Sequence, residues 1–141
     1  MRPEATKLHI VIEFPNGGSL SAEDLAMIAA VRQQRSILGA SRVTGVSYRK
    51  CWLMVDAMNR AFESPVFATF PGRRRGGAEL TAFGERLVAL FQSIERRAGA
   101  AAKGAMAELT AALNPEYQAR ASDGALEPLH DEPHRGQSQR P

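Results

Sequence analysis

Two groups of side chains in this 141-residue chain have the types and spacing to bind a polyanion. Ser47, Tyr48, Arg49 and Lys50 form an unbroken run of hydrogen-bond donors, two of them cationic, directly after Gly45-Val46. Arg73, Arg74 and Arg75 lie between Pro71-Gly72 and Gly76-Gly77. At the opening of a helix the first group offers donors to base edges and phosphates in a major groove, and the positive end of the helix dipole adds to the attraction. Arginines on a Gly- and Pro-flanked loop have the reach to enter a narrow minor groove or to meet flanking phosphates. The same residues without a ligand are a cationic surface helix and a plain exposed loop. Arg49 and Lys50 also oppose the dipole of their own helix by roughly 0.5 kcal/mol each, so a factor outside the helix must compensate.

The formal charge of +3 conceals where the cations sit. Between Arg32 and Arg75 nine cations meet two acids, Asp56 and Glu63, for a segment charge of +7. Such a concentration is of the kind that attracts a polyanion, and by itself it equally describes a solvated basic face.

The elements that must position these groups are readable from periodicity. Leu8 to Phe14 alternates, with Leu8, Ile10, Ile12 and Phe14 on one face, and Pro15-Asn16-Gly17-Gly18 ends the strand. Ser21 and Asp24 have the spacing of a helix cap, and Leu25, Ile28, Ala29 and Arg32 carry the helical period to about Gln34. Ser36 opens a compact segment to Val43, Thr44-Gly45-Val46 closes it, and Ser47 caps a stretch free of Gly and Pro up to Pro65. This is helix, tight turn, helix, with Gly45 supplying the left-handed backbone of the turn. On the second helix Cys51, Met54, Val55, Met58 and Phe62 gather on one face, opposite Arg49, Asp56 and Arg60.

Val66–Phe70 and Ala78–Leu80 read as the strands of a basic hairpin with a mobile arginine tip. Thr81 caps a final helix whose apolar positions recur from Phe83 to Leu113, with Gly99 and Gly104 as candidate breaks. From Asn114 the chain is Pro-, His- and charge-rich, the composition of a disordered tail. The expected fold class is mainly α with a small β wing: a winged helix-turn-helix over residues 1–97, a long C-terminal helix continued over 98–113, and a tail over 114–141.

Enzyme chemistry finds no footing. There are no paired carboxylates in a known motif, no nucleophile with a base and no phosphate-binding glycine loop. Cys51 stands alone, which excludes an internal disulfide and a multi-thiolate zinc site, and reads as a small core residue. Trp52 reads as a packing residue, and His130 and His134 as a chance pair in the tail. No cofactor or metal is expected. The chain has no apolar stretch of membrane-spanning length and no signal sequence, so a cytoplasmic protein away from membranes is expected.

The run Val46 to Phe62 (VSYRKCWLMVDAMNRAF), followed by Gly76 to Gly84 (GGAELTAFG), resembles the N-terminal DNA-binding domain of the molybdate-responsive ModE regulators, itself related to the LysR-type winged helix. The resemblance extends from about Lys7 to Arg97. It implies a homodimeric transcription factor on double-stranded DNA, with a recognition helix from Ser47, a wing at 71–77 and a dimerising helix after Thr81. The candidate DNA contacts are Ser36, Ser47, Tyr48, Arg49, Lys50, Arg60, Arg73, Arg74 and Arg75. Twofold pairing gives an inverted-repeat operator. Two departures stand out: the family wing is Gly-rich where this one carries three arginines, and the residues after Asn114 do not have the makings of a molybdate-binding domain, so direct molybdate sensing is not expected. The competing expectation is a winged-helix module for protein interaction, which DNA's steep salt dependence separates from a DNA binder.

Overall fold

The computed structural model describes residues 5–70 and 77–121. The chain runs β1 (Val11–Glu13), β2 (Ser19–Ser21), α1 (Ala22–Gln34), α2 (Ile37–Thr44), α3 (Tyr48–Ala61), β3 (Phe67–Phe70), β4 (Gly77–Leu80) and α4 (Ala82–Ala111). A short strand pair, three short helices, a hairpin and a long final helix in this order make a winged helix-turn-helix-like fold, mainly helical, as the periodicity predicts.

The expected first strand is shorter than its alternation and has a partner that the sequence reading lacks. β1 pairs antiparallel with β2, Ile12 opposite Leu20, around a turn in which Gly17 adopts φ 92°. Asn16 stabilises that turn by accepting the Gly18 N–H on its side-chain oxygen at 2.9 Å. Ile10, Ile12 and Phe14 turn inward as expected, but Leu8 lies outside the strand and is exposed. Residues 5–8 instead lie along the far half of α4, where the Thr6 and Thr110 hydroxyls are 2.6 Å apart.

α1 begins at the predicted cap, with the Ser21 N–H donating to the Asp24 carboxylate at 3.0 Å. Its core face is Met27, Ile28, Ala30 and Val31; Ala29, expected inside, is exposed. Arg35 ends the helix in the left-handed region at φ 58° and donates its N–H to Val31. α2 packs beside it through Ile37 and Ala40, both fully buried.

α4 corrects a further expectation. It runs unbroken through Gly99 and Gly104 for 30 residues, about 45 Å. Seven alanines between 98 and 111 supply helix propensity that offsets a cost of about 1 kcal/mol per glycine. It ends at Ala111, two residues earlier than the apolar period predicts, because Pro115 disfavours helix at Asn114 and Leu109 and Leu113 are left exposed among the described residues. Only its first half joins the core, through Leu87, Val88 and Phe91. Phe67 and Phe91, each 1 % exposed, bind the hairpin and α4 into that core, and side chains of this size contribute about 1.5–3 kcal/mol each when buried. The expected tail is described only to residue 121; residues 122–141, with His130 and His134, lie outside the described residues, as do 71–76 and the tip arginines.

Candidate nucleic-acid interface

The turn between α2 and α3 is held by side chains that the sequence reading passed over. Gly45 takes φ 78° and donates to the Ser41 carbonyl, as its predicted role requires. The Ser41 hydroxyl donates to the Val46 carbonyl at 2.6 Å, and Thr44 Oγ1 donates to Ala40 and accepts the Val46 N–H. Cys51 closes the group from α3, its thiol 3.7 Å from the Val46 carbonyl. Burial pushes that thiol up from its ordinary pKa, outweighing the hydrogen bonds from Ser41 and Thr44, so the neutral form is favoured. Cys51 is fully buried, the core residue it was expected to be.

α3 is capped at Ser47, whose hydroxyl oxygen accepts the Lys50 N–H at 3.1 Å. Cys51, Val55 and Met58 sink one face into the core, and the opposite face presents Arg49, Leu53, Asp56 and Arg60 to solvent. The packing of Cys51, Val55 and Met58 supplies the compensation that two cations in the first turn demand. Arg49 makes no ion pair with any described residue. Lys50 sits off that stripe, its ammonium 3.9 Å from Glu23 in the first turn of α1. Arg60 falls on the same stripe as Arg49, about 16 Å further along the axis, and pairs with Asp56 at 2.8 Å. Tyr48 is partly exposed and meets Trp52 edge-on at 6.2 Å; Trp52 packs against the core cluster.

Ser36 stands apart from this group. Its side chain caps α2 by accepting the Gly39 N–H at 2.8 Å, and its backbone bridges to Gly77 at the base of the hairpin. Arg32 also leaves the basic group, pairing with Glu85 of α4. The +7 segment is therefore distributed over more than one face.

Two asparagines fix α3 against its neighbours. Asn59 accepts the Val66 and Phe67 N–H groups at 2.8 and 2.9 Å and donates to the Phe67 carbonyl at 3.1 Å, joining α3 to the root of the hairpin. Thr81 holds the same stretch from the other side, its N–H donating to Val66 and its hydroxyl to Pro65. At the far end of α3, Asn16 donates to the Ala61 carbonyl at 2.9 Å, and Phe62 lies between Phe14 and Phe83. Between β1–β2 and α4 an apolar groove of about 200 Å³ opens beside Ile12, Phe83, Leu90 and Ile94. Among the described residues no cluster of His, Cys, Asp and Glu has metal-binding geometry, and no helix is long and apolar enough to cross a membrane.

The fold and this site define a winged helix-turn-helix-like protein that presents a cationic helix opening to solvent. Comparison with known proteins gives a consistent result. The chain is 41 % identical over 80 residues to the molybdenum-pterin-binding protein MopB of Rhodobacter capsulatus, covering 56 % of this chain and 30 % of that protein. It is 34 % identical over 80 residues to the molybdenum transport protein ModE of Azotobacter vinelandii, with the same coverage. It is 27 % identical over 92 residues to the transcriptional regulator ModE of Haemophilus influenzae, covering 64 % of this chain and 36 % of that one. No family model matches the chain. Over about half its length the chain is thus homologous to the ModE and Mop proteins, and the match spans about a third of the length of these curated relatives.

Proposed function

We propose that the chain is a sequence-specific regulator of transcription that binds double-stranded DNA as a homodimer in the cytoplasm. The observation that carries this reading is the disposition of α3: one face is locked in the core, while Arg49 projects from the opposite face of the first turn and makes no ion pair with any described residue. Ser47, Tyr48, Arg49 and Lys50 enter the major groove, Arg60 meets a phosphate further along, and Ser36 approaches the backbone from the start of α2. Arg73, Arg74 and Arg75 of the wing contact flanking DNA. The relative named as a transcriptional regulator supports this reading, and the molybdenum in the names of the other two supports target genes concerned with molybdenum.

The second copy docks along α4. In support, Leu90 and Ile94 are 46 % and 44 % exposed beside the apolar groove, and the helix extends well past its own core. Twofold pairing through such a helix places two α3 openings on one side of a duplex, so the operator is an inverted repeat with half-sites about one helical turn, or a multiple, apart. Selection of bound duplexes from a random pool tests specificity, symmetry and spacing together. A salt titration on the recovered duplex should fall with a slope of about −0.9 per phosphate neutralised. Recovery of no shared sequence, with affinity indifferent to salt, would count instead for a protein-interaction module.

A further inference from the structure

Leu53 is the one large aliphatic side chain on the exposed face of α3. It is 56 % exposed, whereas Cys51, Val55 and Met58 complete the core face of the same helix without it. A solitary exposed leucine is ordinary on a protein surface. This one occupies a particular place. It lies one turn beyond Arg49, about 6 Å along the axis, and within the stripe that continues to Asp56 and Arg60. Along the stripe Leu53 is flanked by Arg49 on one side and, on the other, by Asp56, whose carboxylate pairs with the Arg60 guanidinium one turn further at 2.8 Å.

A helix presenting this face to a duplex brings cations to phosphates or guanine edges at either end and one apolar group to the base edges between. The apolar group that a major groove offers at its base edges is the C5-methyl of thymine. We propose that Leu53 is a specificity-determining residue that covers a thymine methyl in each half-site. The inference rests on the DNA-binding reading and adds to it the chemistry of one base.

The test uses the full chain and the duplex recovered by selection, with each thymine replaced in turn by deoxyuridine, which lacks only the methyl. The wild type should lose about fourfold in affinity at one thymine per half-site, the value of one buried methyl. Leu53→Ala, whose side chain is outside the core, should fold normally, bind the parent duplex several-fold more weakly and be indifferent to deoxyuridine at that position. Arg49→Ala should bind more weakly yet keep the deoxyuridine effect. The inference is overturned if Leu53→Ala shows the same loss on deoxyuridine as the wild type, or if the wild type is indifferent at every thymine. A wild type that does not prefer the recovered duplex over random sequence sinks the reading as a sequence-specific binder, and this inference with it.

Discussion

The Asn59 carboxamide grips the Phe67 peptide on both sides, accepting its N–H at 2.9 Å and donating to its carbonyl at 3.1 Å. With the Val66 N–H as a third partner, the exposed helix and the hairpin are tied at one point. Asn59→Ala leaves the N–H groups of two buried residues without an acceptor, and a loss of about 2–3 kcal/mol is expected in urea unfolding. Asn59→Asp keeps the acceptor but turns a second oxygen toward the Phe67 carbonyl unless it is protonated. The folded state then favours the protonated acid, so this variant should be most stable at low pH and lose stability as pH rises through its raised pKa. Equal denaturation midpoints for the wild type and both variants at pH 7 would remove the clamp.

Glycines separate into two kinds. A Cβ at Gly84 would come within 2.5 Å of both the Val66 carbonyl oxygen and Leu80, so Gly84→Ala should cost about 1–3 kcal/mol by forcing α4 off the hairpin. At Gly99 and Gly104 an added Cβ meets no described residue within 4 Å outside the helix's own backbone, and alanine there should stabilise the helix by about 0.5–1 kcal/mol each. Thermal unfolding of the three variants should give midpoints on opposite sides of the wild type.

These contrasts mark where the sequence is legible. Ser21, Ser47 and Thr81 announce their helices because capping is local chemistry, and Gly45 announces its turn because few other residues tolerate the backbone there. The inward face of α3 follows from the period of Cys51, Val55 and Met58. The β2 strand escaped because Ser-Leu-Ser alternates but, at three residues, is too short to read as a strand, although Asn16-Gly17 is a hairpin signal in its own right. Asn59 and Asn16 escaped because their partners are backbone groups brought near by the fold, which leave no trace in composition, and Ser41 because its bond to Val46 depends on the geometry of the turn between them. For the same reason charge spacing could not reveal that Glu85 draws Arg32 away, or that the Ser36 hydroxyl oxygen caps α2.

Burial raises the Asp24 carboxyl above its ordinary value of 3.8, against the opposing hydrogen bonds from Ser21, and the Glu23 charge adds to the rise. The folded state therefore binds more protons than the unfolded chain just above pH 3.8, and the contribution of Asp24 to stability falls as pH rises through that window. Asn at this position can still accept the Ser21 N–H without carrying charge. The stability difference between Asp24→Asn and wild type should accordingly shift in favour of the variant from pH 3.5 to pH 6, read by urea midpoints. A difference constant with pH would mean that the folded environment does not penalise the charge.

Glu23 and Lys50 lie 3.9 Å apart with both side chains more than half exposed, so their pairing contributes little to stability. In the proposed complex the same pair has a larger effect, because Glu23 sets a negative charge beside the helix opening and competes with phosphate for the Lys50 ammonium. Glu23→Gln should leave the melting temperature unchanged and raise affinity for random-sequence duplex several-fold at 50 mM salt. The gain should shrink at 300 mM, where screening shortens the reach of the lost charge. Lys50→Ala in the same background should reverse most of the gain. If Glu23→Gln binds random duplex no better than the wild type at low salt, the carboxylate does not govern access to Lys50, and the opening of α3 meets DNA through Arg49 alone.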